Sequence, residues 1–450
     1  MSIFKACEIR GAYPDEMNEE KAYRISRAVA TMLDSGTVVV GGDVRTSTPG
    51  LKTALIDGLT ASSCDVVDIG TVSTPLFHYV MCRLHAAGAV MVTSSHHPAD
   101  TNGAKVFFDN LPATTQQLHK IKSMIETNGF LCRRGRVTTL DAVSTYEDHI
   151  RCYGDEMFNG IDRRPKVVMD CGNGCNSEIA PKVFESLGMP VIRINCDIDG
   201  TFPGRGPNPT PASLKELCSA VIETESDFGI AFDGDGDRVV FVDESGKVLT
   251  SDQATAVIAR YMRGVSPGES VVLDTRCSSA VADVVSMLGA TTLTERSGYA
   301  AIRTRMVTEC ARFGAETDGH LFYRELEGGD DALFTALLMS SIVADYGALS
   351  LLAAAIPNYA TTPNLRIHAR PDPSLLDMIA EAFPLERVDR LDGVKVLFED
   401  GWGLARVATH EPEVQLRFEG VNECALRRIM DEFLAPAPGL RKAVMQYLQV

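Results

Sequence analysis

The same order of elements recurs three times along this chain: an apolar run, an amphipathic segment and a second apolar run. Short apolar runs bounded by glycine or polar residues are typical of buried strands, whereas apolar residues spaced three or four apart indicate a helix. The three sets span residues 38–43, 49–59 and 64–69, residues 167–171, 178–187 and 190–194, and residues 271–274, 280–288 and 291–295. This order predicts three similar α/β domains, because strands that alternate with helices build sheets covered by helices.

Each set is followed by one more short strand that ends in a polar loop. The strands and the first loop residues are 89–92 with Thr93, 228–232 with Asp233, and 313–315 with Glu316. Ligands of open α/β sheets bind beyond the ends of the strands, and clefts between domains are also common binding sites. We therefore expect the three loops to meet in one cleft.

The last part of the chain has a different pattern. After a linker at residues 357–363, residues 403–408 and 414–418 are predicted strands and residues 422–434 a helix, which together predict a smaller α+β domain. A chain of 450 residues is long enough for four domains. The predicted domains are residues 1–143, 144–248, 249–359 and 360–450.

Charge and hydropathy limit the partners of the protein. The formal net charge of −17 argues against nucleic acid and against an anionic membrane surface as partners. The N-terminus has no apolar signal-peptide core, and no apolar run approaches the roughly eighteen residues that span a membrane, so we expect a soluble, cytoplasmic protein. A small phosphorylated ligand remains compatible with the charge if arginines, lysines and backbone amides cluster locally.

The twelve cysteines do not predict a disulfide framework. They are scattered, no export signal precedes them, and several lie in apolar runs, where cysteine behaves as a small hydrophobic residue. Cys171 and Cys175 flank a Gly-Asn-Gly turn, but no second pair lies nearby in the sequence, so this spacing does not predict a zinc site.

The loop TSSHHP at residues 93–98 offers a candidate nucleophile, Ser95. Its residues are also ordinary turn formers, so the loop alone does not establish chemistry. His96 and Lys105 are candidate general acids or bases, because an imidazole titrates near neutral pH and a lysine among cations has a lowered pKa. Either side chain could equally be a structural hydrogen-bonding group.

The segment DGDGDR at residues 233–238 predicts a metal site. Asp233, Asp235 and Asp237 alternate with glycines, so three carboxylates can converge on one hard cation such as Mg²⁺. The spacing also matches part of a calcium-binding EF-hand. That alternative fits poorly, because Arg238 stands where the EF-hand needs glycine and the flanking residues are predicted strands rather than helices.

Together, TSSHHP and DGDGDR resemble the α-D-phosphohexomutase superfamily, in particular its phosphomannomutase/phosphoglucomutase group, in which the loops read TASHNP and DGDGDR. The resemblance extends from FKACEIRG near the N-terminus to GWGLARVATHEP near the C-terminus. It implies three similar α/β domains with mixed sheets and a C-terminal α+β domain, of the TATA-binding-protein-like type, around a central cleft.

The resemblance also implies a reaction. A phosphoryl group on Ser95 passes to a hexose phosphate, most simply of mannose or glucose, and the bisphosphate turns around in the cleft, so that phosphate moves between C6 and C1. Mg²⁺ is then held by Asp233, Asp235, Asp237 and an oxygen on Ser95, and glucose or mannose 1,6-bisphosphate is the activator. The residues in the family's positions around the transferring group are Arg10, Lys105, His96 and Arg238.

Several residues of the implied sugar site depart from the family pattern. Glu316 and His320 are retained and would hold sugar hydroxyls, whereas Asp318 stands where serine is usual and adds a charge that should repel a nearby phosphate. Arg276 replaces a lysine and is a stronger bidentate phosphate ligand. Tyr299 replaces a histidine.

The implied binding loop for the non-reacting phosphate differs further. Arg406 is retained, while Ala408 and His410 replace a serine and a threonine, so that Thr409 and His410 are the remaining polar candidates. An imidazolium beside a phosphate has a raised pKa, so binding through His410 should weaken as the pH rises through that raised value. Kd-against-pH curves should be flatter for His410→Thr than for the wild type; identical curves would remove His410 from the site.

Two other function classes remain compatible with the sequence. One is a divergent phosphosugar-binding or regulatory protein that does not turn over. The other is a metal-assisted sugar-phosphate phosphatase that uses Ser95 and water. All three function classes imply a small phosphorylated sugar as the ligand. The sequence leaves the oligomeric state open between a monomer and a dimer.

Overall fold

The computed structural model describes residues 3–5, 8–368, 373–407 and 413–448. Within these residues the chain forms four β-sheets that follow one another along the sequence, each with its own helices. The predicted fold class, three α/β domains with mixed sheets and a C-terminal α+β domain, is confirmed. The boundaries predicted for the domains stay a prediction.

The first sheet is mixed, with strand order β1-β5-β4-β2-β3-β7 and β6 beside β5 among the described residues. Strands β4, β2, β3 and β7 run parallel, whereas β5 is antiparallel to β4. Its elements are β1 (Ile9–Ala12), α1 (Glu19–Leu33), β2 (Gly36–Gly42), α2 (Thr48–Thr60), β3 (Cys64–Thr71), α3 (Thr74–Arg83), β4 (Gly88–Val92), β5 (Thr101–Phe108), β6 (Leu111–Pro112), α4 (Thr115–Thr127) and β7 (Val137–Thr139).

The second sheet has the order β11-β10-β8-β9 in the part of the chain that is described. All five residues of its central strand β10 are buried, as expected for a continuous apolar strand covered on both faces. Its elements are α5 (Val143–Met157), β8 (Val167–Asp170), α6 (Ile179–Ser186), β9 (Val191–Ile194), α7 (Lys215–Glu223), β10 (Phe228–Phe232) and β11 (Val239–Asp243). Because β10 and β11 are antiparallel neighbours, the segment DGDGDR is the turn of a hairpin and not an EF-hand loop.

The third sheet repeats this organisation, with the order β13-β12-β14-β15-β16 among described strands. Strands β13, β12 and β14 are parallel, and β15 returns antiparallel to β14. The elements are α8 (Ser251–Tyr261), β12 (Ser270–Asp274), α9 (Ser279–Met287), β13 (Thr291–Glu295), α10 (Tyr299–Thr308), β14 (Phe313–Ala315), β15 (Leu321–Tyr323), β16 (Gly329–Asp330), α11 (Ala332–Tyr346) and α12 (Leu349–Ala354).

The fourth sheet is antiparallel in its described strands, with the order β17-β22-β21-β20-β19 and β18 beside β22. Its elements are β17 (Ala360–Thr361), β18 (Leu365–His368), α13 (Pro373–Glu381), β19 (Val388–Asp389), β20 (Val394–Phe398), β21 (Gly401–Val407), β22 (Glu413–Gly420), α14 (Glu423–Leu434) and α15 (Pro438–Leu448). Asn422 caps α14 by accepting hydrogen bonds from the backbone N–H groups of Cys424 and Ala425, which fixes where the predicted helix begins.

One apolar core runs through the first three domains. Phe77 of α3, Tyr146 of α5 and Phe334 of α11 belong to it, whereas the fourth domain has a core of its own around Phe418 and Phe433. Each buried aromatic side chain contributes about 1.5–3 kcal/mol to stability. The shared core therefore holds the first three sheets, and the loops at their ends, in fixed relative positions. No helix among the described residues is both long enough and apolar enough to cross a membrane.

Candidate active site

Three loops from the first three domains meet at one place. We call them the serine loop (residues 93–98, after β4), the aspartate loop (residues 233–238, between β10 and β11) and the sugar loop (residues 316–320, between β14 and β15). Ser95 Oγ donates a hydrogen bond to Asp233 Oδ2 at 2.8 Å, which joins the first loop to the second. Arg238 Nε donates to His320 Nε2 at 2.8 Å, which joins the second to the third.

The backbone of Ser95 is held in an uncommon conformation. Its φ of +48° lies in the left-handed region, which residues other than glycine seldom adopt. The N–H of Ser95 donates to Thr93 Oγ1 at 2.9 Å, so the loop is stabilised by a hydrogen bond between its own backbone and one of its side chains. Such a conformation costs about 1–2 kcal/mol and persists only where the surroundings determine it. The residue that makes most of these contacts is Arg45, which was not predicted from the sequence as part of the site.

Arg45 holds the serine loop from beneath. Its side chain has no exposed surface, and its Nε pairs with Asp43 Oδ2 at 3.0 Å. Its Nη2 donates to the carbonyl oxygens of Ser95 at 2.7 Å and His97 at 2.6 Å, and its Nη1 donates to those of Pro98 and Thr101. One planar guanidinium thus fixes the serine loop through several carbonyls. Arg45 could have been identified in the sequence from the motif Asp43-x-Arg45, which directly follows strand β2 of the same sheet.

We expect Arg45→Lys to lower kcat about tenfold to a hundredfold with a small change in KM, because an ammonium cannot satisfy the carbonyl groups and the Ser95 hydroxyl shifts. The buried acceptors left unsatisfied should also cost about 2 kcal/mol of unfolding free energy. Steady-state kinetics and urea unfolding measure the two effects. Arg24→Lys is the matched control, since Arg24 also donates to a carbonyl, that of Ile125, outside the site. Equal kcat in both variants would contradict the positioning role.

The aspartate loop is shaped by its first residue. Asp233 Oδ1 accepts the backbone N–H groups of Gly236, Asp237 and Arg238 at 3.0–3.1 Å. Gly236 has a φ of +80°, which favours glycine at this turn. The turn directs Asp235 and Asp237 to the same side as Asp233, and one oxygen from each lies within 4.8 Å of the others.

These three carboxylates fit a divalent cation. All three are buried, and Oδ1 of Asp235 and Oδ1 of Asp237 have no hydrogen-bond partner among the described residues. Burial, together with the neighbouring carboxylates, raises the pKa of Asp233 well above its usual value and also raises that of Asp237. Buried carboxylate oxygens without a hydrogen-bond partner are donors that Mg²⁺ prefers.

Lys105 lies against the same carboxylates. Its Nζ is 2.9 Å from Asp235 Oδ2 and 2.6 Å from Asp237 Oδ2. Burial alone would lower the pKa of Lys105, but these two carboxylates outweigh burial and hold it well above the usual value. The expectation of a lysine with a lowered pKa is therefore wrong for this arrangement, because its nearest charged neighbours are anions rather than cations.

The surroundings of His96 lower its pKa, whereas those of Lys105 raise the pKa of the lysine. Its Nδ1 lies 3.4 Å from Ser95 Oγ. Burial, and then the positive charge of Arg238, lower its pKa well below the usual value, so the imidazole is neutral at neutral pH. Arg10 lies at the rim of the serine loop, where its Nη1 is 3.0 Å from His97 Nδ1 and 2.8 Å from Glu8.

His320 has a defined tautomer in this arrangement. Its Nε2 accepts from Arg238, so the ring proton is on Nδ1, which donates to Asp330 Oδ2 at 2.6 Å. Burial lowers the pKa of His320, but Asp237 and Asp330 outweigh burial and raise it to about 9. A pKa of about 9 favours a second proton at Nε2 at neutral pH, so this proton and the hydrogen bond from Arg238 compete for the same nitrogen. Asp330 was not among the candidate residues, because it lies on a separate short strand.

The additional negative charge of the sugar loop, on Asp318, lies beside two guanidinium groups. Asp318 is 3.6 Å from Arg238 and 4.0 Å from Arg276, and these cations outweigh burial and lower its pKa. Glu316 Oε1 accepts the N–H of Gly298 at 2.7 Å, and burial followed by the charge of Asp318 raises the pKa of Glu316 to about 7. The negative charge of Asp318 thus partly neutralises the guanidinium groups of Arg238 and Arg276, which a phosphate would contact. This effect differs from the direct repulsion of phosphate that the sequence predicted.

Two arginines were predicted to bind phosphate, Arg276 in the third domain and Arg406 in the fourth. Each forms an ion pair with a carboxylate. Arg276 pairs through Nε with Asp274 at 2.8 Å. Arg406 pairs with Asp392 at 2.8 Å, and Asp392 in turn accepts the N–H of Ser297, which joins the fourth domain to the third. Thr409 and His410, and with them the rest of the predicted distal phosphate loop, lie outside the described residues.

Tyr299 lies behind Lys105 rather than in the loops. Its hydroxyl is 2.9 Å from His78 Nε2 and accepts from Arg303 Nη1 at 2.9 Å. The ring centroid is 5.6 Å from Lys105 Nζ, within cation–π range. His78 is a buried residue of α3 for which the sequence offered no signal, since its neighbours Phe77 and Tyr79 read as ordinary core.

Comparison with known proteins places this site in a family. Family models described as phosphoglucomutase/phosphomannomutase, alpha/beta/alpha domains I, II and III, match residues 1–131, 147–246 and 250–359. The phosphomannomutase/phosphoglucomutase of Pseudomonas putida is 34% identical over 443 residues, covering 96% of this chain and 94% of that protein. The phosphoglucomutase of Neisseria meningitidis is 30% identical over 447 residues, covering 96% of each.

A solved structure agrees with these relatives. The crystal structure of a phosphoglucomutase/phosphomannomutase family protein from Burkholderia thailandensis superposes with a TM-score of 0.88 at 31% identity, covering 97% of this chain and 98% of that one. Family models cover most of the chain, and the relatives match nearly its whole length. The chain therefore belongs to the phosphoglucomutase/phosphomannomutase family.

Proposed function

We infer that the protein is a phosphohexomutase that moves phosphate between C6 and C1 of a hexose phosphate, with glucose or mannose phosphate as the substrate class. The observation that carries this inference is the contact between Ser95 Oγ and Asp233 at the edge of a buried triad of carboxylates, with Lys105 and Arg238 beside it. A hydroxyl, a cation site and fixed positive charges are what phosphoryl transfer needs.

In this proposal Mg²⁺ is held by Asp233, Asp235 and Asp237 and, when bound, spreads the negative charge of the transferring phosphoryl group. Ser95 gives its phosphoryl group to a sugar hydroxyl and later receives one from the other end of the sugar. Lys105 donates to Asp235 and Asp237, Arg238 belongs to the aspartate loop itself, and both contribute fixed positive charge. Glucose or mannose 1,6-bisphosphate is proposed as the activator that first loads Ser95.

The proton of the reacting hydroxyl needs an acceptor near Ser95. His96 is neutral at neutral pH and its Nδ1 is 3.4 Å from Ser95 Oγ, so it can accept a proton there. Lys105 is protonated, and its raised pKa suits it to supplying fixed positive charge rather than a proton. We propose that Glu316, Asp318 and His320 hold sugar hydroxyls, and that Arg276 and Arg406, with Thr409 and His410, bind the phosphate that is not reacting.

A panel assay tests this function. Glucose, mannose and glucosamine 1-phosphates are each supplied with Mg²⁺, with and without a trace of the corresponding 1,6-bisphosphate, and 6-phosphate and inorganic phosphate are both measured. We expect 6-phosphate, with a lag that the bisphosphate removes. Inorganic phosphate without 6-phosphate would identify a phosphatase instead, and neither product in any arm would identify a binding protein.

A further inference from the structure

Two cysteine sulfur atoms lie unusually close together beneath the aspartate loop. Cys196 Sγ is 3.3 Å from Cys171 Sγ. Cys171 directly follows β8 and Cys196 lies two residues beyond β9, and these two strands are parallel neighbours with Asp170 beside Ile194. The N–H of Cys171 donates to the carbonyl of Ile194 at 3.2 Å, so the backbone ladder continues to the cysteines and holds them side by side. The sulfur partner of Cys171 is thus Cys196 and not Cys175, which lies four residues away in the sequence.

We propose that Cys171 and Cys196 are an oxidisable dithiol, a modification site that a peroxide converts to a disulfide, and that this disulfide weakens cation binding by the aspartate loop.

The two thiols differ in a way that assigns their roles. Cys196 is half-buried, whereas Cys171 is fully buried. The contact between the two sulfurs outweighs burial and lowers the pKa of Cys196, while burial raises that of Cys171 well above its usual value. The guanidinium of Arg193 interacts electrostatically with both sulfurs. Partial exposure and a nearby cation are the surroundings in which a thiolate reacts. Cys196 is therefore the attacking thiol and Cys171 the resolving one.

The reaction balances with a peroxide as the oxidant. The Cys196 thiolate attacks one peroxide oxygen, so that an S–O bond forms, the O–O bond breaks and hydroxide leaves to take up a proton. Cys171 then attacks the sulfenic sulfur, so that the S–S bond forms, the S–O bond breaks, and the Cys171 proton leaves with the oxygen as water. Two thiols and one hydrogen peroxide give one disulfide and two waters.

The segment after Cys171 carries the effect to the aspartate loop. Cys171 Sγ donates to the carbonyl of Asn176 at 3.6 Å, and that hydrogen bond is lost in a disulfide. The N–H of Cys175 donates to the carbonyl of Gly234 at 3.0 Å, and Asn176 Nδ2 donates to that of Gly236 at 3.5 Å. A side chain on Gly174 would come within 2.7 Å of the Gly234 oxygen, so the segment is tightly packed beneath this loop.

Forming the bond requires a movement that this packing transmits. The sulfur atoms must approach from 3.3 Å to about 2.05 Å, a shift of roughly 1 Å. Protein interiors are close-packed and pass such displacements on to their neighbours. The carbonyls of Gly234 and Gly236 move with the segment, and the directions of the Asp233, Asp235 and Asp237 carboxylates change with them.

Peptide mapping and Mg²⁺ titration test the proposal on the full-length protein. After hydrogen peroxide, tryptic digestion should yield residues 167–182 joined to residues 194–205, with fragmentation locating the bond at Cys171. Calorimetry should give a Mg²⁺ Kd about tenfold higher than for the reduced protein, restored by dithiothreitol, because displacements of about 1 Å in a site are costly. Cys196→Ser should match the reduced wild type before and after peroxide, and Cys175→Ser should still respond.

The proposal is overturned if peroxide leaves Cys196 free to be alkylated, or if the joined peptides form while the Mg²⁺ affinity stays that of the reduced protein. A bond located at Cys175 would overturn it as well. Neither readout uses turnover, so the outcome is independent of whether the protein is a mutase.

Discussion

Replacing Ser95 with alanine is expected to lower kcat by about 10⁴-fold or more, because the phosphoryl acceptor is removed and nothing else in the site can form the covalent intermediate. The fold should survive. Ser95 Oγ has hydrogen-bonding contacts with Asp233 and His96, and the loop is held through backbone carbonyls by Arg45, which the substitution leaves in place. Turnover measured with a primed hexose phosphate and a thermal melt on the same sample separate the two effects.

The neighbouring serine supplies the control. Ser94 is also buried, but its Oγ has no hydrogen-bond partner among the described residues. Ser94→Ala should therefore keep most of its activity and should still become phosphorylated at Ser95. Phosphopeptide mapping that finds phosphate on Ser94 in the wild type, or normal turnover by Ser95→Ala, would contradict the assignment of the nucleophile.

Replacing Asp233 with asparagine is expected to weaken Mg²⁺ binding by at least about 10²-fold, because one of three charged oxygen donors is lost. The metal-free variant should nevertheless be more stable than the metal-free wild type at neutral pH. Burial raises the pKa of Asp233 in the folded protein, and a carboxyl group with a raised folded-state pKa costs stability at pH values above its ordinary pKa. The asparagine oxygen can still accept the N–H groups that shape the loop.

Thermal melts with and without Mg²⁺ measure both effects. At a Mg²⁺ concentration of about 100 times Kd the wild type should gain about 2.7 kcal/mol of stability, and Asp233→Asn should gain almost none. Asp243→Asn is the matched control, because Asp243 is a buried aspartate of the same hairpin whose Oδ1 accepts from Ser245 and Lys247 away from the triad. Equal Mg²⁺ stabilisation of both variants would contradict the assigned cation site.

Local patterns in the sequence were sufficient for the fold and for the loops. The apolar run before Thr93 and the one before Asp233 are buried strands because each is short, continuous and ends in polar residues. The alternation of aspartate with glycine predicted converging carboxylates because the geometry is set within a few residues. The predicted fold class and family are confirmed.

Residues whose contacts are created by the fold were missed for a physical reason. Arg45, His78 and Asp330 lie outside the strands and helices that the sequence predicted, and their roles depend on contacts such as those of Arg45 with the Ser95 carbonyl and of His78 with Tyr299. The pKa of Lys105 was predicted with the wrong sign for the same reason. The family resemblance grouped it with the cations Arg10 and Arg238, whereas the folded chain brings two carboxylates of another domain within hydrogen-bonding distance.

The fate of the phosphoryl group on Ser95 distinguishes a mutase from a phosphatase and from a binding protein. Protein labelled at Ser95 with radioactive phosphate is mixed with a slight excess of unlabelled glucose 6-phosphate and Mg²⁺ and quenched within a single turnover. We expect the label to leave the protein and to appear in glucose 1,6-bisphosphate and then in monophosphate, while unlabelled phosphate replaces it on Ser95. Label recovered as inorganic phosphate, or label that stays on the protein while product accumulates, would contradict this expectation.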